Sequence, residues 1–433
     1  MAGFVESGEQ AEREASALYR NVTCPFCGIH CDDLEIGRLD GALQVRRNGC
    51  PKANPNFERL LPSATPEIGG RQASLDEAVR AAADLIRDAR LPLFGGLATD
   101  VDGMRAVMAL ADRAGGVVDH ALSEGLGHNV RVLQTSGWIT STLTEARSRG
   151  DLFIIVGSDV HRLHPRFFER VVCAEASMFD TVPQKRTVVF LGRGLDTSGA
   201  AGARIGDVVT LPCPLDQVGE VLAALRAVLR DTRLNVAEIA GVPLTEIEAL
   251  AQRCRAASYG VMVWAPQGLA SAEADLTVQL VCDIVRDLNQ TQRFAGLSLG
   301  GSEGSATASS VATWQSGFPL RTSYASGRPD YDPVRYAIPH LLAEGHGDLL
   351  VWLASFTTEI APPDTDVPTI VLGTPGLPLP RASAVFIPVG TPGLDHAGRL
   401  IRCDGVVSLP LRDLKRAALP RAADVLGAIE RAL

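Results

Sequence analysis

At 433 residues the chain exceeds what one small core organises, so two or three domains are expected. Hydrophobic residues at 46% and charged residues at 21% exclude a disordered chain. A net charge of −9 excludes a general nucleic-acid binder, which carries a basic excess.

Among 41 basic residues only Lys52, Lys185 and Lys415 are lysine, a usage that GC-rich coding explains and that points to a mesophile. The first twenty residues carry glutamates and no apolar stretch of a secretory signal. No apolar run reaches the roughly eighteen residues a membrane span needs. A cytoplasmic protein without membrane association is expected.

Residues 1–18 read as a tail, and residues 19–70 as a small metal-binding domain. Four of the nine cysteines fall between residues 24 and 50, and in a cytosolic chain such a cluster reads as metal ligation before disulfides. The motif is Cys24-Pro25-Phe26-Cys27-Gly28-Ile29-His30-Cys31, then Asn48-Gly49-Cys50-Pro51. C-x2-C and C-x3-C turns aim three sulfurs inward, and Cys50 closes a tetrahedron. Structural zinc more often uses two paired knuckles, whereas three clustered cysteines and a distant fourth followed by proline is the iron–sulfur habit. A [4Fe–4S] cluster is favoured, with zinc or no metal as alternatives, and His30 is a neighbour rather than a ligand.

Beyond residue 70, helices alternate with short apolar strands, which predicts α/β architecture with parallel sheets covered on both faces. In a first unit, 71–235, a helix at 75–90 leads to a strand at 92–94, a turn at Gly95-Gly96, a helix at 103–114 and a strand at 116–119. A second unit, 236–433, opens with a helical connector at 239–251. It then places a strand at 260–264, a helix to 287 and a strand at 293–298. Each unit continues with a helix ending in a similar tetrapeptide, 135–138 and 315–318. Three strands follow in each: 150–156, 186–192 and 207–211, then 347–353, 367–373 and 384–389. The shared order indicates a duplicated unit.

Several other residues invite chemistry. Arg162, Arg166 and Arg170 recur at four-residue spacing with Pro165 suited to a first helical turn, so a helix there would carry a basic stripe beside the mouth of strand 150–156. Gly296-Leu297-Ser298-Leu299-Gly300 matches the G-x-S-x-G elbow of serine hydrolases, and Asp395-His396 follows, but adjacent residues scarcely share one triad. His161 and His164 have the spacing of a metal pair, although Pro165 favours a loop. The loop 300–304 could cradle an anion at a helix N-terminus or cover a crevice.

The head motif opening a duplicated α/β chain resembles the molybdopterin oxidoreductases, in which a small iron–sulfur domain precedes two Rossmann-like domains, as in formate dehydrogenase and DMSO reductase. The run from Cys24 to Asp33 is similar to the start of the B subunit of formylmethanofuran dehydrogenase. The connector 239–251, Gly157-Ser158-Asp159 with His164-Pro165-Arg166, and the segment 390–406 also resemble that family. The resemblance implies that Lys52 sits between cluster and pterin. It also implies that Arg162, Arg166 and Arg170 face phosphates, or the poly-anionic tail of a furan carrier. Dehydrogenases of the family hold tungsten or molybdenum through a cysteine or selenocysteine after the second strand of the first unit. Here the loop 119–129 has no cysteine, and a soft metal wants a thiolate there.

The chain therefore looks like the bacterial counterpart, a B subunit of a formyltransferase/hydrolase complex. The resemblance then implies an accessory subunit without tungsten or molybdenum pterin, in a complex that binds methylofuran. Its partners would be a formyltransferase subunit, a metal-dependent hydrolase subunit and a small third subunit. The alternatives are a working tungsten or molybdenum dehydrogenase and a serine hydrolase.

Overall fold

The computed structural model describes residues 18–39, 42–178, 185–269, 273–415 and 418–433. Residues 1–17, nearly all of the expected tail, lie outside the described residues.

The head is a three-stranded antiparallel sheet of β1 (Leu18–Val22), β2 (Leu34–Leu39) and β3 (Ala42–Arg47), closed by a short helix, Ala53–Glu58. The hairpin β4 (Glu67–Ile68) and β5 (Arg71–Gln72) follows, then the helix Leu75–Asp88. Ser74 and Glu77 form a reciprocal capping box at that helix start, as their spacing dictates.

The parallel strands are β6 (Pro92–Ala98), β7 (Val117–Val118), β8 (Leu152–Val156), β9 (Arg186–Leu191) and β10 (Ile205–Leu211). A small hairpin, β11 (Glu238–Ile239) and β12 (Val242–Pro243), precedes the helix Leu244–Ala256, so the expected connector is half hairpin and half helix. Next come β13 (Gly260–Trp264), β14 (Phe294–Ser298) and the short pair β15 (Thr322–Ser323) and β16 (Asp330–Tyr331). The chain ends with β17 (Leu349–Ala354), β18 (Thr369–Gly373), β19 (Val385–Pro388), the hairpin β20 (Gly398–Ile401) and β21 (Ser408–Leu411), and the helix Ala422–Ala432.

The strands assort differently from the expected division at 235/236. Of the described residues, those of 18–123 and 301–433 form one compact unit and those of 124–300 the other. In the first, the parallel core runs β7-β6-β17-β18-β19 within a nine-stranded sheet; in the second it runs β14-β13-β8-β9-β10. The two orders are the same, each joining the leading strand pair of one half to the trailing triplet of the other. Both β6 and β13 are buried throughout and need a neighbour on either edge. In a duplicated sequence the apolar pattern cannot say which equivalent strand supplies it. The matching tetrapeptides end matching helices, Ser123–Ser136 and Ser305–Ser316, each closed by a left-handed glycine, Gly137 and Gly317.

The turn expected at Gly95-Gly96 lies inside β6. A Cβ at Gly95 would stand 2.8 Å from the Trp352 ring, and one at Gly96 2.5 Å from the Leu353 carbonyl. The glycines admit the neighbouring strand β17, whose register with β6 shifts there.

Candidate functional site

The cysteine loop hangs between β1 and β2, and Cys50 follows β3. Cys24, Cys27 and Cys31 are buried. The loop is closed by Cys24 N–H donating to the Cys31 carbonyl (2.8 Å) and His30 N–H to that of Cys27 (3.0 Å). Phe26 packs edge-on against Phe57 of the short helix, with centroids 5.2 Å apart. The Ala53 amide donates to the Cys50 sulfur at 3.3 Å. Burial pushes the Cys24 thiol up, and the neighbouring Cys27, Cys31 and Cys50 add to it. Four thiols in one neighbourhood are a donor set that suits a soft metal. Among the described residues, however, no three His, Cys, Asp or Glu side chains stand close enough to hold a metal ion. His30 is buried and neutral, its pKa lowered to about 4 by burial, with Nδ1 against the Cys24 carbonyl at 3.1 Å. Cys403, which nothing in the sequence ties to the head, donates its amide to the Gly28 carbonyl at 2.8 Å; desolvation pushes its thiol up, and Asp404 and then Cys27 add to it.

In the first unit, polar residues gather at the carboxyl ends of the parallel strands, where open α/β sheets place ligands. Thr99 and Asp100 follow β6, and Asp100 caps the helix Val101–Ala114 by accepting from Gly103 N–H at 3.0 Å. Ser355 after β17 donates to the Ala98 carbonyl at 2.8 Å. Thr374 follows β18 and Thr391 follows β19.

Glu303 is a candidate that sequence reasoning did not single out. It sits in a left-handed turn (φ 52°) between Gly301 and Gly304, both also left-handed, and is only 6% exposed. Thr357 donates to its Oε1 at 2.9 Å, while Oε2 is buried without a partner. Burial raises its pKa to about 7; Thr357 opposes this, Glu359 adds to it, and Arg59 and Lys52 oppose it further. A carboxyl so placed can take or release a proton near neutrality. The loop 300–304 thus holds a buried acid rather than a flexible cover. Its only signal in the sequence is a glutamate flanked by glycines between a strand and a helix.

The cysteine-free loop after β7 is tied to protein groups. Asp119 accepts from Ile338 N–H at 3.0 Å and pairs with Arg321 at 3.5 Å. His120 Nδ1 accepts from Leu122 N–H (2.9 Å), which leaves Nε2 to donate to the Glu303 carbonyl (3.0 Å). That tautomer is neutral, and burial lowers the His120 pKa to about 4. Lys52, at the start of the short helix, acts on both Cys27 and Glu303, lowering the pKa of each.

The expected basic stripe is not one helical face. A four-residue helix, Val160–Leu163, ends before Pro165, and a π-helical turn, Phe168–Val172, follows. Phe167 and Phe168 are buried and turn the segment inward. Arg162 is exposed and pairs with Asp159 at 3.8 Å, whereas Arg166 is 5% exposed and binds Glu169 through Nε (2.8 Å) and Nη2 (2.5 Å). His164 Nε2 faces the Leu299 carbonyl at 3.2 Å.

Ser298 accepts from the Asn129 amide at 2.7 Å, which accepts from the Trp264 indole at 2.9 Å, so its hydroxyl belongs to a structural chain. Asp395 accepts from Thr391 N–H at 2.8 Å, and His396 Nδ1 faces the Ala397 carbonyl at 2.8 Å. A cleft of about 400 Å³ by Gly69, Asp366 and Ala384 lies at the opposite, amino-terminal ends of β18 and β19.

A cysteine-bearing head followed by two α/β units whose parallel sheets share one strand order defines the fold. The fold matches acetylene hydratase from Pelobacter acetylenicus at a TM-score of 0.65 and 12% identity, over 96% of this chain and 69% of that one. In sequence, the chain is similar over most of its length to the B subunits of formylmethanofuran dehydrogenase and of the formyltransferase/hydrolase complex. It is 27% identical over 406 residues to the B subunit of the tungsten-containing formylmethanofuran dehydrogenase 2 of Methanocaldococcus jannaschii, covering 90% of this chain and 92% of that one. It is 26% identical over 337 residues to the B subunit of the formyltransferase/hydrolase complex Fhc of Methylorubrum extorquens, covering 77% and 87%. A chain of the crystal structure of FhcABCD from that organism, in complex with methylofuran, matches at a TM-score of 0.72 and 26% identity, over 85% of this chain and 98% of that one. No family model matches the sequence.

Proposed function

We propose that the chain is an accessory subunit of a cytoplasmic formyltransferase/hydrolase complex. That complex would move a formyl group from formyl-tetrahydromethanopterin to methylofuran and release it as formate. The chain itself would be non-catalytic, assembling a formyltransferase subunit, a metal-dependent hydrolase subunit and a small third subunit. Supporting this is the likeness to a chain of FhcABCD along 98% of its length. The observation that carries the choice over a tungsten or molybdenum dehydrogenase is the loop after β7. It offers Asp119, His120 and Ser123 where a soft metal wants a thiolate, and hydrogen bonds occupy all three. Among the described residues no helix is long and apolar enough to cross a membrane.

Within this reading Cys24, Cys27, Cys31 and Cys50 hold one metal centre, a [4Fe–4S] cluster before zinc. Lys52 lies between that centre and the sheet mouth. Arg162, Arg166 and Arg170 are the contacts proposed for the poly-anionic carrier tail, Arg162 being the most exposed of the three and Arg166 the one braced by Glu169.

Elemental analysis of anaerobically purified native protein tests both parts. The expected result is iron with sulfide, or zinc, at one centre per chain, and neither tungsten nor molybdenum. Four freely alkylated thiols with no metal would remove the centre. About one tungsten or molybdenum per chain would restore the dehydrogenase.

A further inference from the structure

Within the first unit, a cavity of about 300 Å³ is bounded by Leu43, Arg59, Leu61, Pro375, Asp395 and Lys415. It is at the small end of the range for ligand clefts. Most of its wall is apolar and three charges line it. The function proposed above uses none of the three.

Local structure fixes each charge. Arg59 ends the helix Ala53–Glu58. Its guanidinium is held by Asn56 Oδ1 (3.3 Å) and Thr391 Oγ1 (2.8 Å) through the two Nη atoms and lies over the Phe26 ring at 5.9 Å. Its Nε is buried and without a partner. Asp395 is 4% exposed, with Oδ2 taken by Thr391 N–H. Lys415 is anchored beside it by its own N–H donating to the Leu394 carbonyl at 2.7 Å. Among the described residues the Lys415 ammonium has no hydrogen bond or ion pair. Burial pushes its pKa down, Asp395 partly restores it, and Arg59 lowers it further.

Two cations and one carboxylate line the cavity, and Arg59 also feels the buried Glu303, which leaves the Lys415 ammonium, beside an apolar wall, as the cation without a bonded partner among the described residues. A neutral occupant would leave the ammonium desolvated and unpaired, which is costly. Two of the five guanidinium N–H groups are spent on Asn56 and Thr391, so Arg59 keeps three donors and Lys415 its whole ammonium, a cationic set that suits an anion.

We propose that this cavity is a binding site for a small organic monoanion, a carboxylate carried on a short apolar body, with Lys415 and Arg59 as its charge partners. A ligand of this class compensates the lone charge and covers Leu43, Leu61 and Pro375.

The test uses the full-length chain and two probes of one shape, pentanoate and pentanamide, read by titration calorimetry at pH 7. Pentanoate is expected to bind with a Kd of about 1 mM or tighter, and pentanamide about tenfold more weakly or worse. Lys415→Met should weaken pentanoate about tenfold while leaving the thermal midpoint in place, since that side chain makes no bond within the fold. Equal affinity for acid and amide would overturn the proposal, and so would undiminished pentanoate binding by the variant. No pentanoate binding to the folded wild-type chain would overturn it too. The acid-against-amide comparison needs no variant, so it stands even if Lys415→Met folds poorly.

Discussion

Replacing Glu303 by glutamine is expected to stabilise the protein by less than about 1 kcal/mol at pH 5 and by about 3 kcal/mol at pH 8. The fold buries this carboxyl and raises its pKa from 4.5 to about 7. The unfolded chain releases the proton near pH 4.5, while the fold keeps it until about pH 7. The fold's stability is therefore undiminished below the unfolded value and lost as pH rises through this window. Beyond pH 7 the penalty is fully present.

Glutamine keeps the acceptor that Thr357 uses and never ionises. The groups that reach Glu303 (Thr357, Glu359, Arg59 and Lys52) are common to both proteins. His30 and His120, held neutral with pKa values near 4, destabilise both proteins alike as pH falls below about 6.5, and cancel in the comparison. Denaturant midpoints of the two proteins at several pH values check this. A gap that stays constant from pH 5 to pH 8 would show that Glu303 does not titrate within the window.

Arg186→Met should cost about 4 kcal/mol, from a side chain that the sequence presents only as the first residue of a strand. Arg186 is fully buried. It donates to the carbonyls of Val171 (2.7 Å), Val172 (2.7 Å) and Arg147 (2.6 Å). The first two belong to the end of the π-helical turn Phe168–Val172, and the third to the helix Leu143–Arg149. Terminal carbonyls of helices lack partners of their own and carry partial negative charge, so one cation serves two helix ends.

Among the described residues no carboxylate pairs with Arg186. Burial lowers its pKa to about 10, and the carbonyl dipoles with the face of Phe153, 5.9 Å away, hold the charge. Methionine fills much of the volume but strands three buried acceptors, each worth roughly 1–3 kcal/mol. Urea unfolding measures the loss. A change below about 1 kcal/mol would show that the carbonyls find other partners.

Much of the architecture was legible because it depends on local pattern. Apolar runs marked the buried strands, and Gly137 and Gly317 marked two equivalent helix ends. Other features were not legible, each because a distant group decides it. The partner of β6 is β17 rather than a strand of its own half, which repeated patterns leave open. Gly95-Gly96 reads as a turn until Trp352 of β17 is known to lie against it. Arg162, Arg166 and Arg170 keep helical spacing in the sequence, but Pro165 and the buried Phe167 and Phe168 break the face. Glu303 reads as a solvated loop residue because nothing local shows that the turn folds under Thr357. Cys403 is distant in sequence from the other cysteines, and only the β20–β21 hairpin region brings it to Gly28.

An accessory subunit travels with the subunits it assembles. Native extract should be separated by size exclusion, with this chain followed by mass spectrometry and formate release from formyl-tetrahydromethanopterin measured in each fraction. The chain is expected to elute in a large assembly with a formyltransferase and a metal-dependent hydrolase, and formate production to follow the same fractions. Elution as a free monomer, with formate production in other fractions, would contradict it.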